Sequence, residues 1–441
     1  MKNDPREIIL NTPMGVFQVV AIVLCVCLVA LDGFDVLSIS FASPGIAAEW
    51  GVDRGALGVI LSAELIGMAI GSVVVGGIAD NIGRRPTILA CLVVMALGMY
   101  LASIAGGITS LLAYRFATGL GIGGMLASIN AMTAEYSNAK RRSLAVTIMA
   151  AGYPGGAIVG GTIASMLLVS YDWRAVFVFG AVVTGVFIPL VWFLMPESIE
   201  FLQHRRPPNA LERINRTLRR MGHQTVDSLP ERPEEAPKQS MLQLFSPELG
   251  RMTVLLTLAY FAHILTFYFY IKWIPKLVVD MGHAPSSAGG VLVWANVGGI
   301  LGAISLGLLT QRFGVRGLVM AAMVGATLAV TMFGQTGGAG LGRLSTVAVA
   351  AGFFTNGAIV GLYAMFAQAF PTELRASGTG FVIGVGRGGA ALAPIVAGYL
   401  FVAGATLPVV AIIMGSGSLL AAIMLMMLRQ RAPAPMPAKE S

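Results

Sequence analysis

The sequence predicts an all-α membrane protein: twelve transmembrane helices in two pseudo-symmetric six-helix bundles. Three observations carry this expectation. Of 441 residues, 56% are hydrophobic and 11% charged, against roughly 25% charged in a soluble domain. Apolar windows of about 20 residues, the length that crosses a ~30 Å hydrocarbon core, recur twelve times along the chain. A single long hydrophilic stretch, 196–250, divides them six and six.

The spans are read at 17–40, 56–79, 86–105, 109–133, 143–168, 174–195, 252–274, 286–309, 316–335, 344–367, 377–401 and 405–428. This gives an N-terminal six-helix bundle (1–195), a linker (196–250), a C-terminal six-helix bundle (251–430) and a tail (431–441). Span 1 is too long for a signal-peptide core and has no small-residue cleavage site after it, so it is expected to stay in the mature chain. Of the 29 Lys and Arg, 22 fall on the linker side, 5 on the far side (Arg54, Arg174, Lys272, Lys276 and Arg343) and 2 within the membrane (Arg115 and Arg387). That asymmetry follows the positive-inside rule. Both termini and the linker are therefore expected in the cytoplasm, and the net charge of +8 reports topology rather than a nucleic-acid partner.

Span 1 holds the costliest feature, Asp32-Gly33-Phe34-Asp35. An Asp at the centre of a span costs about 2.5–3.5 kcal/mol on insertion scales, and such residues face a cavity or a counter-charge. The i, i+3 spacing puts both carboxylates on one helix face. Two close carboxylates in a low dielectric resist joint ionisation, which suits proton exchange. Glu64 lies at a similar depth in span 2. After span 2 comes Gly76-Gly-Ile-Ala-Asp80-Asn-Ile-Gly83-Arg84-Arg85, and after span 8 a related segment, Gly307-Leu-Leu-Thr-Gln311-Arg-Phe-Gly314. Duplicated halves suggest a transporter built from repeats, with its site near the midplane.

Span 4 contains Arg115 and the string Gly119-Leu-Gly121-Ile-Gly123-Gly124, and span 5 contains Gly152-Tyr153-Pro154-Gly-Gly. These glycines let helix backbones approach closely, and Pro154 frees a carbonyl that neighbours must satisfy. A rise of ~1.5 Å per residue puts Asp32 and Asp35 about 12 and 7 Å from the outer end of span 1, and Arg115 about 9 Å below the same surface. In the linker, Leu211, Ile214, Leu218 and Met221 form one apolar stripe among arginines. That pattern predicts an interfacial helix on the cytoplasmic leaflet.

In the second half, His263 lies near the midplane of span 7, where histidine can relay protons or hydrogen-bond. Tyr260, Phe267, Tyr268, Tyr270 and Trp294 offer aromatic faces, and Asn296 and Asn356 offer polar groups at mid-membrane. Arg387, on a Gly-rich face of span 11, carries a planar fork matched to a carboxylate. Cys25, Cys27 and Cys91 lie in apolar runs and read as packing residues, so no metal and no cofactor is expected. The Gly-rich string of span 4 lies inside a helix rather than after a strand, which excludes a dinucleotide site. The chain is not expected to be an enzyme. The tail is also too short for the output domain of a sensor.

Together these segments resemble the major facilitator superfamily across essentially the whole chain. Gly77-Ile-Ala-Asp80-Asn-Ile-Gly83-Arg84-Arg85 is similar to its loop between helices 2 and 3. Arg115-Phe-Ala-Thr-Gly119 is similar to its helix 4 signature, and Met195-Pro-Glu197-Ser-Ile-Glu-Phe-Leu202 to the segment closing helix 6. More narrowly, Asp32-Gly-Phe-Asp35, Gly152-Tyr-Pro-Gly-Gly-Ala157, Pro371-Thr-Glu373-Leu-Arg375-Ala376 and Gly386-Arg387-Gly-Gly-Ala390 resemble the aromatic acid:proton symporters. One departure is Gln311, where an acidic residue would match Asp80.

The resemblance implies a secondary transporter in the bacterial inner membrane that works as a monomer and imports benzoate, a hydroxybenzoate or a related acid with protons. Import of another organic anion, aliphatic or alicyclic, is the alternative. It also implies that Arg115 can pair with the Asp32–Asp35 dyad. Asp80, Arg84 and Arg85, with Glu135, Arg141, Glu373 and Arg375 in the other inner loops, are expected to act as a gate, the arginines reaching acidic partners across the halves. Arg115, Arg387, His263, Asn296 and Asn356 are the expected substrate contacts, and Asp32, Asp35 and Glu64 the proton carriers. Three carboxylates against two arginines give −1, a substrate carboxylate gives −2, and neutrality then needs two protons.

Overall fold

In hydrocarbon every backbone N–H and C=O needs an internal partner, so apolar runs of this length close into helices. The computed structural model describes residues 4–230, 241–310, 312–371 and 374–428. Its helices are α1 Pro5–Asn11, α2 Val16–Trp50, α3 Arg54–Ile82, α4 Arg84–Ser103, α5 Ile108–Glu135, α6 Arg142–Ser170, α7 Arg174–Leu194, α8 Ile199–Arg205, α9 Ala210–Met221, α10 Gly250–Asp280, α11 Pro285–Leu309, α12 Val315–Gly334, α13 Leu341–Ala369, α14 Arg375–Val402 and α15 Leu407–Met426. Among the described residues, twelve are long and apolar enough to cross a membrane, α2 to α7 and α10 to α15. Each corresponds to one expected span.

The largest differences from the expected spans are extensions. Helix α2 runs through Pro44 to Trp50, past the expected end at 40. Proline removes an N–H and frees the carbonyl four residues back, and the Ser43 hydroxyl donates to that Ser40 carbonyl at 2.9 Å. The helix stops at Gly51, whose φ of 61° is left-handed. Asp53 then caps α3 by accepting from the Ala56 N–H at 2.8 Å. Helix α10 likewise continues past 274 to Asp280.

The packing repeats between halves. Helix α3 packs on α5 as α11 packs on α13, α2 on α6 as α10 on α14, and α4 on α7 as α12 on α15. Between halves, α3 meets α14 and α6 meets α11, two contacts related by the same exchange. These contacts gather at the end opposite the linker. There Gly58 lies against the Pro394 backbone, Gly398 against Arg54 and Gly289 against Ser165. Arg54 also bridges to Asp280 on α10 at 2.8 Å and stacks over Phe401, 4.6 Å from its centroid.

The amphipathic linker helix forms as α9, but its apolar stripe is not left for lipid. Ile214, Leu218 and Met221 are buried in a core shared with Ile9, Leu202 and Val226. This corrects the interfacial reading: the N-terminal half supplies the apolar surface that the stripe needs. His223, just past α9, contacts Gln18 Oε1 at 2.9 Å through Nε2 and Thr12 Oγ1 at 3.3 Å through Nδ1.

Candidate functional site

Two glycine contacts position the charged residues. A Cβ on Gly33 would overlap the Tyr153 carbonyl, so glycine inside Asp32-Gly-Phe-Asp35 lets α2 press on α6. That contact occupies one face of α2, and both aspartates project from another. On α5, a Cβ on Gly119 would overlap the Glu64 carbonyl. The close approach of α5 to α3 brings Arg115, one turn earlier, beside Glu64.

Asp32, Asp35, Glu64, Arg115 and Lys272 are all buried, the last four at 0% exposure. The Arg115 guanidinium pairs with Glu64 Oε1 at 2.5 Å and donates to the Asp35 backbone carbonyl at 2.9 Å and to Met99 Sδ at 2.8 Å. It also stacks over Phe177, 5.3 Å from the centroid. This corrects the expected partner: Arg115 holds Glu64, and of Asp35 it holds the main chain. Neither carboxyl oxygen of Asp32 or of Asp35 has a hydrogen-bond partner among the described residues.

Lys272 is a second correction. Expected on the far side, it is fully buried because α10 runs two further turns beyond it. Its ammonium donates to the Val36 carbonyl across the halves and lies 3.7 Å from Glu64 Oε2. Glu64 therefore sits between a cation of its own half and one of the other half. The missed signal was the apolar stretch beyond Lys272, which includes Trp273, Ile274, Leu277, Val278 and Val279. With Lys272 and the half-buried Arg387, the formal charges of the cluster become three of each sign.

Arg387 on α14 donates to the Met68 carbonyl on α3 at 3.2 Å, again across the halves. It lies within electrostatic reach of Asp32, Tyr260 and Tyr268. The Tyr260 hydroxyl meets that of Tyr363 at 3.1 Å, and Tyr268 faces Tyr153 of α6. A carboxylate of Asp32, a guanidinium and four phenols thus converge between the halves. Tyr153 was quoted in a motif but not read as a site residue.

Other expected residues lie apart from this cluster. His263 is held by Ser418 Oγ at 2.9 Å and the Thr355 carbonyl at 3.0 Å, inside the C-terminal half. Asn296 donates to the Leu292 carbonyl at 2.9 Å, and Asn356 packs on Gly299 between α11 and α13. The Tyr270 hydroxyl donates to the Ala348 carbonyl at 2.8 Å, and Trp294 is exposed. A cleft of about 410 Å³ at the far end, lined by Phe41, Glu49, Tyr171 and Trp173 among others, shares no residue with the charged cluster.

The expected gate residues of the N-terminal half pair within it rather than across the halves. Arg84 bridges to Asp80 at 2.8 Å, and the Arg85 side chain donates to the Trp192 carbonyl. Glu197 accepts the Arg84 and Arg85 backbone N–H groups at 2.9 and 3.2 Å and so caps α4. Burial nonetheless pushes its carboxyl above the ordinary value, against these donors. Glu135 accepts from the Ser198 hydroxyl at 2.5 Å. Arg375 is exposed, and Glu373 lies outside the described residues. With the halves touching only from mid-membrane to the far end in the contacts described, these inner-loop charges have no opposite half within reach.

The profile of the Major Facilitator Superfamily matches residues 24–341 and 256–441. The chain is 31% identical to the gallate transporter of Pseudomonas putida, over 95% of this chain and 94% of that protein. It is also 31% identical to the 4-hydroxybenzoate transporter PcaK of Pseudomonas putida, over 88% and 87%. A crystal structure of a D-xylose-proton symporter superposes with a TM-score of 0.70 at 18% identity, over 93% of this chain and 97% of that one. The chain is a multi-pass membrane transporter that belongs to the major facilitator superfamily and is related to its aromatic carboxylate transporters.

Proposed function

We propose that this protein imports a small aromatic carboxylate together with one proton, by alternating access, across the bacterial inner membrane, with the linker and both termini in the cytoplasm. The observation that carries this reading is the balanced set of charges between the halves: the buried Asp32, Asp35 and Glu64 against the buried Arg115 and Lys272 and the half-buried Arg387. An anionic substrate unbalances it by one, and a single proton on a carboxyl restores it. The two-proton expectation from sequence omitted Lys272.

Arg387 receives the substrate carboxylate, since its fork is matched to that group and the Tyr153, Tyr260, Tyr268 and Tyr363 phenols beside it offer ring faces and hydroxyls. Asp32, near Arg387, takes up the proton when the anion competes for the arginine. Glu64, shared by Arg115 and Lys272, transmits that change between halves. With the far-end contacts closed, the chain is in its inward-facing state. The gallate and 4-hydroxybenzoate carried by its relatives favour these and similar acids as cargo.

Uptake of labelled benzoate, 4-hydroxybenzoate and gallate into proteoliposomes tests this. A pH gradient, acid outside, is expected to drive accumulation, an uncoupler to abolish it, and unlabelled aromatic acids to compete where an aliphatic dicarboxylate does not. One proton per monoanion moves no net charge, so membrane potential alone is expected to drive nothing. Accumulation on potential alone restores the two-proton count, and failure of every aromatic acid to compete rejects the substrate class.

A further inference from the structure

We propose that a basic cleft at the linker end binds the phosphate of an anionic membrane lipid. The cleft measures about 150 Å³ and is built from α4, the end of α7, the loop after it, Leu202 of α8, and α9. Arg85 comes from the start of α4, Trp192 and Phe193 from the last turn of α7, Glu197 from the loop that follows, and Arg213, Arg216 and Arg220 from α9. This surface is distinct from the transport site and shares no residue with it.

Charge decides what the cleft can hold. Four guanidiniums line it against one carboxylate, that of Glu197, whose Oε1 accepts the backbone N–H groups of Arg84, Arg85 and Ser198. Arg216 makes a 3.0 Å bridge to Glu212 on the same helix, but both side chains are largely exposed, so the pair is weak. Arg85 and Arg220 each give one donor to a carbonyl at the frayed end of α7, Trp192 and Phe193 respectively. A guanidinium has five donors, so most of each fork remains, and the Arg85 Nε is buried with no partner among the described residues. Guanidinium forks fit phosphate oxygens in two-point contacts.

Position decides where the phosphate comes from. Trp192 and Phe193 are 58% and 69% exposed at the very end of a spanning helix, the level at which aromatic side chains meet lipid headgroups. Because the apolar stripe of α9 is turned inward on the protein, Arg213, Arg216 and Arg220 are left to line the cleft beside the end of α7. Basic pockets in such a place take anionic headgroups. A bound lipid would tie α9 to α4 and α7, holding the linker on the N-terminal half.

The test uses the full chain in bilayers containing dibrominated phosphatidylglycerol or dibrominated phosphatidylcholine, and reads the part of the tryptophan quenching that Trp192→Phe removes. Phosphatidylglycerol is expected to quench this part preferentially. The preference is expected to fall about fivefold for each arginine neutralised in Arg213→Gln and Arg216→Gln, and to survive in Arg213→Lys and Arg216→Lys. Equal quenching by the two lipids, or a preference indifferent to both glutamines, overturns the proposal. In detergent without lipid, inorganic phosphate is expected to leave the thermal midpoint unchanged. A rise that the two glutamine variants abolish, with Trp192 unquenched in bilayers, makes the cleft a small-anion site and also overturns it.

Discussion

The two halves that meet at the transport site treat their buried polar groups in opposite ways. In α10 to α15 most of these groups are spent on the protein itself, His263 on Ser418 and Thr355, Thr266 on the Met414 carbonyl, Tyr270 on Ala348 and Asn296 on Leu292, with only the Trp273 Nε1 and Arg316 Nε left without a partner among the described residues. In α2 to α7 the carboxyls of Asp32 and Asp35 have no hydrogen-bond partner among the described residues, and Glu64 is held by cations from both halves. A buried polar group that is fully hydrogen-bonded is the ordinary case and needs only a structural reason. A buried carboxyl without a partner is costly, and in the function proposed above it is where a proton is taken up. The C-terminal half contributes instead the cations Lys272 and Arg387, which reach across to the N-terminal half.

The largest effects that would break this contrast are expected at the aspartates. Asp32→Asn and Asp35→Asn are each expected to abolish accumulation driven by a pH gradient while the protein still inserts and folds, since an amide costs less to bury than a carboxylate; normal accumulation in both variants would falsify the coupling role. Arg115→Met leaves Glu64 without its closest counter-charge, and breaking a buried pair costs about 3–5 kcal/mol, to be read from the thermal midpoint in detergent.

Next comes Lys272→Met, which shifts the charge sum of the cluster, Arg387 included, to −1. Accumulation is expected to require a second proton and so to respond to membrane potential, unlike the parent; a variant still blind to potential would remove Lys272 from the charge count. Arg387→Lys trades a two-point fork for a point charge, and KM is expected to rise about tenfold, roughly 1.4 kcal/mol, with coupling intact. The smallest effect is assigned to His263→Gln. It disturbs hydrogen bonds worth about 1 kcal/mol each, and uptake is expected to stay within about twofold. Collapse of uptake in a folded His263 variant would put proton chemistry in the C-terminal half and erase the contrast.

Reading the sequence located most of the charged site but misassigned two of its connections. Asp32, Asp35, Glu64, Arg115 and Arg387 stand out because a charge inside an apolar run is rare and expensive. Lys272 escaped because it lies near the expected end of a span, where lysine is cheap, and only the continuation of α10 buries it. The family resemblance implies that Arg115 pairs with the dyad, and depth along the two helices agrees for all three residues. Depth says nothing of rotation, and the Gly119 crossing turns Arg115 to α3 instead. The α9 stripe was legible as amphipathic, but period alone cannot tell whether lipid or protein covers an apolar face.

By itself, then, the sequence determined what the solvent enforces: twelve helices, their division by the linker, and the residues too polar to be in hydrocarbon without a purpose. Those follow from chain-local terms, length against bilayer thickness and the cost of each buried charge. Only the tertiary structure decided which charges meet, because pairing depends on helix rotation and crossing set by side chains and glycines far apart in sequence. Asp32 and Asp35, the most conspicuous pair in the chain, turn out to be the groups without partners, while Glu64, a single carboxyl, is the one that both halves hold.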